Sequence, residues 1–195
     1  MRALRRPIQF LTLCICLLFT TQTWALDGYQ DRRGTYVGGG LGGALATSEF
    51  ATPGRTTGLE SSTMGLELRA LIGSGIREDF ALELQLNYWN RTVDSETRPL
   101  DHHHVNAMAA LRYWLIEGLN ATGGVGLAAG IFDAQIGGIL HEEFEEMGVA
   151  LHANLGYEIF VSGTTAASIE LGYLVHIYDE ASFNAVTGMV TFRWY

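Results

Sequence analysis

The feature that most constrains this chain is the alternation in its last segment, residues 183–195, FNAVTGMVTFRWY. Val186, Gly188, Val190, Phe192 and Trp194 fall on one face of an extended backbone, and Thr187, Met189, Thr191 and Arg193 fall on the other. Successive side chains of a strand point to opposite sides, so this pattern describes a strand with two different environments. Asn184 breaks the apolar face at its start. The segment closes on aromatics, which sit well at a lipid–water boundary. The expectation is a strand that completes a cylinder in a membrane, with the rest of the chain supplying the strands it closes against.

Seven further segments carry the same period: 36–46, 63–72, 80–90, 104–115, 121–132, 147–159 and 165–177. The clearest is 80–90, where Phe80, Leu82, Leu84, Leu86 and Tyr88 oppose Glu83, Gln85 and Asn87. Segments of roughly ten residues or slightly more are long enough to cross a bilayer at a tilt. Polar stretches at 47–62, 91–103 and 133–146 read as long loops. Gly73-Ser74-Gly75, 116–120 and 160–164 read as tight turns, and 178–182 as a short outer loop. The predicted fold is all-β: an eight-stranded antiparallel up-and-down transmembrane barrel. Its short turns and both termini would lie on the periplasmic side and its long loops outside.

Residues 1–25 are expected to be a cleaved secretory signal. Arg2, Arg5 and Arg6 precede an apolar run at 10–19, and Ala25 offers a cleavage point. That run is too short for a membrane-spanning helix. Residues 26–34 form a polar lead-in and 35–195 the barrel. Cys14 and Cys16 both lie in the signal, so the mature chain has no disulfide and no cysteine-ligated metal. All twelve basic residues are arginine; 9 of them remain against 21 Asp+Glu, a net charge of −12. A chain this acidic is not built to hold nucleic acid. Any crossing of a membrane by the mature chain must use strands.

Which way the apolar parity points decides the class. A lipocalin-like soluble barrel puts it inside, and a membrane barrel puts it outside. The other parity carries Glu67, Arg69, Glu83, Arg112, Glu158, Glu170 and Arg193, together with many Gly and Ala. Four carboxylates against three guanidinium groups suit mutual pairing in a narrow interior, since Arg binds carboxylates bidentately. Eight strands leave room only for side chains. The expectation is a lumen plugged by one contiguous ion-pair network in the periplasmic half, with a wetter, glycine-rich outer half. Aromatics are expected in two lipid-facing girdles: Phe80, Tyr113, Tyr157, Phe160, Phe192 and Trp194 at the periplasmic end, Tyr88, Trp89, Tyr178 and Phe183 at the outer end.

Tyr36-Val37-Gly38-Gly39-Gly40-Leu41-Gly42, Gly124-Val125-Gly126-Leu127 and Asn154-Leu155-Gly156-Tyr157-Glu158 together resemble the strands of small OmpA/OmpX-type outer-membrane barrels. The resemblance spans the mature chain. It implies an outer-membrane location and contact with outer-membrane lipid and lipopolysaccharide. Phe192, Trp194 and Tyr195 resemble the closing aromatic signature read by the barrel-assembly machinery, with Tyr195 one residue beyond the usual terminal aromatic. The same resemblance admits a small gated pore, opened by switching lumen ion pairs, and a lipid A-modifying enzyme.

The residues themselves favour a role without chemistry. His102-His103-His104 cannot converge on one metal from a strand, because adjacent side chains diverge. The acidic run Glu142-Glu143-Phe144-Glu145-Glu146 reads as a solvated loop. For acyl hydrolysis, His152, Asn154, Ser168 and Glu170 come nearest to a nucleophile–base set. Their parity places them in the lumen, away from acyl chains. No cofactor motif is present. The predicted role is structural or surface interaction.

Overall fold

The computed structural model describes residues 32–50, 55–56, 63–93, 100–136, 140–179 and 181–195. The expected signal and most of the lead-in lie outside them, as do most of the first loop and parts of the other outer loops. The strands are β1 (Gly34–Phe50), β2 (Arg55–Thr56), β3 (Thr63–Arg77), β4 (Phe80–Val93), β5 (Leu100–Ile116), β6 (Leu119–Ile136), β7 (Leu140–Ser162), β8 (Thr165–Tyr178) and β9 (Ala181–Trp194). Eight of them form a closed antiparallel meander: each long strand pairs with the next, and β9 returns to pair with β1. Closure removes every edge at membrane depth, which a strand protein in lipid requires. The two-residue β2 pairs with the outer tip of β6 at Ile136 and Gln135.

The side-chain parity is that of a membrane barrel. On β4, Leu82, Leu84 and Leu86 are 47%, 63% and 53% exposed on the outer wall, whereas Glu83 and Gln85 are each 2% exposed inside. Val186, Val190, Phe192 and Trp194 of β9 likewise face outward, and Thr187, Met189, Thr191 and Arg193 face the lumen. Those outward apolar groups have no protein to pack against, so the wall fits only an apolar surrounding.

Three expectations are corrected. The strands run longer than the apolar alternation alone, 14 residues for β4, 17 for β5 and 23 for β7. Arg91, His102 and His103 therefore lie on strands, not in a loop. The ladder needs only backbone partners, so it continues where side chains turn polar. Gly73-Ser74-Gly75 is not a turn: β3 runs on to Arg77, with a register shift between Gly75 and Arg77, and reverses at Glu78-Asp79. The other two short turns hold Gly118 (φ 77°) and Gly163 (φ 55°), left-handed positions that favour glycine.

Third, the outer aromatic girdle is mostly not on the outside. Trp89, Tyr178 and Phe183 are buried in the lumen. Trp89 shares its parity with Asn87, and Tyr178 with His176, so they follow the polar face of their strands. Inner-face glycines beside these rings, on the adjoining strand for Trp89 and on the same strand for Phe132, make the room. A methyl group at Gly65 would meet the Trp89 ring at 2.5 Å, and one at Gly130 would meet the Phe132 ring at 2.6 Å and the Tyr178 hydroxyl at 3.0 Å. The outer half of the lumen is thus filled by rings that the glycines accommodate, not a wetter zone.

Candidate functional site

The interior of a small barrel is where its sequence departs furthest from apolar packing, and here it divides into layers. At the short-turn end Tyr36, Leu71, Ala81 and Trp114 pack together, with Tyr195 against them. Tyr195 turns into the mouth: its amide donates to the Thr164 carbonyl at 2.8 Å, and its ring lies 4.9 Å from that of Tyr36. Phe192 and Trp194 instead face outward, 44% and 50% exposed, their rings 6.4 Å apart. The three residues expected to form a terminal aromatic signature are therefore divided between two surfaces.

Arg32 adds a second closure at this end. Its Nη2 donates to Glu158 Oε2 at 2.7 Å, its guanidinium lies 4.9 Å from the Trp114 ring centroid, and Trp114 Nε1 donates to Glu158 Oε1 at 2.9 Å. Glu158 thus stands apart from the other six charged residues singled out above. Arg32 lies in the segment read as a lead-in, where no period marks a side chain as inward.

The six remaining charges meet in the next layer. Glu170 Oε2 accepts from Arg69 Nη1 at 2.8 Å and Glu170 Oε1 accepts from Arg193 Nη2 at 2.5 Å, while Arg112 Nη2 forms an ion pair with Glu170 Oε1 at 3.0 Å and donates to Glu83 Oε2 at 3.3 Å. Glu83 accepts from Arg112 Nε at 2.7 Å and lies 3.7 Å from Arg193 Nε. Arg69 Nη2 reaches Glu67 at 3.5 Å. Part of the remaining capacity is used by neutral groups, whereas Glu67 Oε2 and Arg193 Nε have no hydrogen-bond partner among the described residues. Tyr36 and Gln85 donate to Glu83 at 2.8 and 2.6 Å, Thr191 donates to Glu170 at 3.2 Å, and Arg193 donates to Ser168 Oγ at 2.9 Å. Arg112 also donates to Asn120. Three carboxylates face three guanidinium groups, so the layer is neutral as a whole. Buried ions persist only when paired and hydrogen-bonded in this way.

The outer layer is aromatic and imidazole. Trp89, Phe132, Phe183, His104, His176 and Tyr178 are all buried. The His104 ring stacks on Phe183 at 4.1 Å and meets Phe132 edge-on at 4.9 Å. A chain of hydrogen bonds joins this layer to the charged one. Arg69 Nε can only donate, and it donates to Asn87 Oδ1 at 2.6 Å. That fixes the Asn87 amide, whose Nδ2 donates to Asn106 Oδ1 at 2.7 Å. Asn106 Nδ2 then donates to His176 Nε2 at 3.0 Å. His176 must carry its proton on Nδ1 and donate to the Tyr178 hydroxyl at 3.1 Å. The Tyr178 hydroxyl in turn donates to His104 Nδ1 at 2.8 Å. One cation at the base sets the tautomer of both histidines.

Of the triple histidine, His102 and His104 point inward, while His103 turns out to Tyr88 at 2.9 Å. No group of three metal-ligating side chains converges among the described residues. The nucleophile–base set is not assembled. Ser168 Oγ takes a hydrogen bond from Arg193, Glu170 is held by arginines, and both ring nitrogens of His152 are without a hydrogen-bond partner among the described residues. All four of His152, Asn154, Ser168 and Glu170 face the lumen.

Asn87, Asn106 and His176 could have been found from parity alone, since they share the inner face with Glu83, Arg112 and Glu170. Arg32 and the inward turn of Tyr195 carry no such signal.

The sequence matches the family described as outer membrane protein beta-barrel domain over residues 11–193. No curated protein matches it. Among solved structures it is similar to Ail, the attachment invasion locus protein of Yersinia pestis, at 15% identity and a TM-score of 0.62, covering 83% of this chain and 99% of that one. Ail in complex with the heparin analogue sucrose octasulfate gives 12% identity and 0.60, with the same coverage. Neisserial surface protein A gives 14% and 0.52, covering 83% and 96%. OprG of Pseudomonas aeruginosa gives 12% and 0.51, covering 86% and 98%. At these identities the likeness is one of fold.

Proposed function

The chain belongs to the outer membrane protein beta-barrel domain family and is by that membership an outer-membrane protein, and we propose that it is a non-conducting barrel with a structural or surface-interaction role. The observation that carries this is the filled interior: a sealing layer at one end, a charge-balanced layer above it and a ring-packed layer above that. An ion would have to break paired guanidinium–carboxylate contacts and then part stacked rings. Eight-stranded walls leave no second route. Both termini are periplasmic in this reading, the wall meets outer-membrane lipid and lipopolysaccharide, and the outward Phe192 and Trp194 present themselves to the barrel-assembly machinery.

The interaction surface is the β6–β7 hairpin. These strands stay paired out to Ile136 opposite Leu140, whereas β8 ends at Tyr178 opposite Gly148. The outer part of β7 therefore stands beyond its neighbour and carries Glu142, Glu143, Glu145 and Glu146. A role in attachment, of the kind named for Ail, fits such a projection.

Planar-bilayer recording of the refolded protein tests the reading. The expected outcome is no conductance steps above background; regular steps would establish the gated pore instead. Mass spectrometry of lipid A from cells that express the chain is expected to show no acyl chain gained or lost. A change in acylation would make the protein an enzyme.

A further inference from the structure

Five arginines of the described chain turn into the lumen, and four of them meet a carboxylate within 4 Å: Arg32, Arg69, Arg112 and Arg193. The fifth does not. Arg91, near the outer end of β4, is 3% exposed, and it pairs with no carboxylate among the described residues. Its Nη1 donates to the Ala46 carbonyl at 3.1 Å, its Nε and Nη2 both reach the single acceptor His102 Nδ1 at 3.4 Å, and its carbon lies 5.6 Å from the Trp89 ring centroid.

Two features make this more than an imperfect pairing. With 21 Asp+Glu against 12 Arg, the chain has no shortage of carboxylates to set beside a buried cation. The nearest inner-face carboxylate by register, Glu67, lies opposite Trp89 and is engaged by Arg69 instead. Trp89 and the stacked rings then lie on the inner side of Arg91, between it and the charged layer. Secondly, the Nε–Nη2 edge is the one that binds an oxyanion through two parallel hydrogen bonds. Here that edge converges on one ring nitrogen at a distance too long to satisfy either donor well.

We propose that the outer mouth of the barrel is a binding site for a single tetrahedral oxyanion, phosphate or sulfate, anchored by the Nε–Nη2 edge of Arg91 and walled by His102 and Trp89. The anion takes the place that His102 Nδ1 now holds and supplies the charge that the other four lumen arginines find in glutamate. Because the site lies outside the aromatic layer, it is independent of whether the lumen conducts.

The test is equilibrium unfolding in urea of the refolded barrel in micelles, with sodium chloride exchanged for sodium phosphate at matched ionic strength. The wild-type midpoint is expected to rise saturably with phosphate, because a ligand of the folded state alone stabilises it. Arg91→Met removes the cation while keeping apolar bulk, and its midpoint should not respond beyond the general salt effect. In chloride it should be at least as stable as the wild type, since a buried charge without a counter-ion is a cost. Equal responses of the two proteins, or no saturable rise in the wild type, would overturn the site. Should Arg91→Met not refold, calorimetric titration of phosphate into the wild type and Arg91→Lys decides. Lysine keeps the charge and loses the fork, so binding roughly tenfold weaker is expected; unchanged affinity would refute the fork geometry.

Discussion

The two halves of the lumen solve the same problem by different physics. Both must fill a narrow cylinder whose walls point away from it. The half nearer the short turns does so with ions, and the geometry there is directional: Glu170 receives three guanidinium groups from β3, β5 and β9. The outer half does so with rings, whose contacts depend on shape and whose space is set by inner-face glycines beside them. A charged layer ties the barrel across its width at fixed positions, while a ring layer needs only volume and a few hydrogen bonds. The comparison predicts that the first half will not tolerate loss of one partner and the second will tolerate changes that conserve volume.

The largest effect is expected at Glu170. Glu170→Ala leaves three buried guanidinium groups short of an acceptor, and removal of one partner from a buried ionic set costs about 3–5 kcal/mol. Urea unfolding in micelles would measure it, and a cost below about 1 kcal/mol would mean that water replaces the carboxylate. Next comes the wall itself. Leu84→Arg puts a charge on the lipid face, where the cost is about 2–4 kcal/mol at the membrane midplane. If this outward face met water instead, the same substitution would cost almost nothing, so this variant separates the two surroundings of the apolar face. Third is the space under the rings. Gly130→Ala forces a methyl toward Phe132 and Tyr178 and should cost about 1–3 kcal/mol by overpacking. The smallest effect is expected for Phe183→Leu, which keeps the outer layer apolar and should cost about 1.5 kcal/mol or less. If Phe183→Leu proves as damaging as Glu170→Ala, the contrast between the halves is wrong.

Parity made much of this molecule legible in advance. Alternation in 80–90 placed Leu82 and Glu83 on opposite faces, and a strand cannot rotate one without the other. The long, polar outer ends of β4 and β5 were less legible, since Arg91 and His102 read as loop by composition though the backbone ladder carries them. The girdle assignment of Trp89, Tyr178 and Phe183 was misled by residue type. Aromatics favour the lipid boundary in general, but parity outranks that preference on a strand. The pairing within the lumen was out of reach, because Glu170 and Arg69 meet across the barrel and no local pattern records which strands face each other.

The sequence by itself determined the period, the number of long strands and the apolar face, because these follow from alternation along single segments. Only the tertiary structure decided which carboxylate each arginine meets, that Arg32 and Tyr195 close the mouth at the short-turn end, and that Arg91 meets no carboxylate among the described residues. Those outcomes depend on distances across a closed cylinder, and such distances exist only once the last strand has paired with the first.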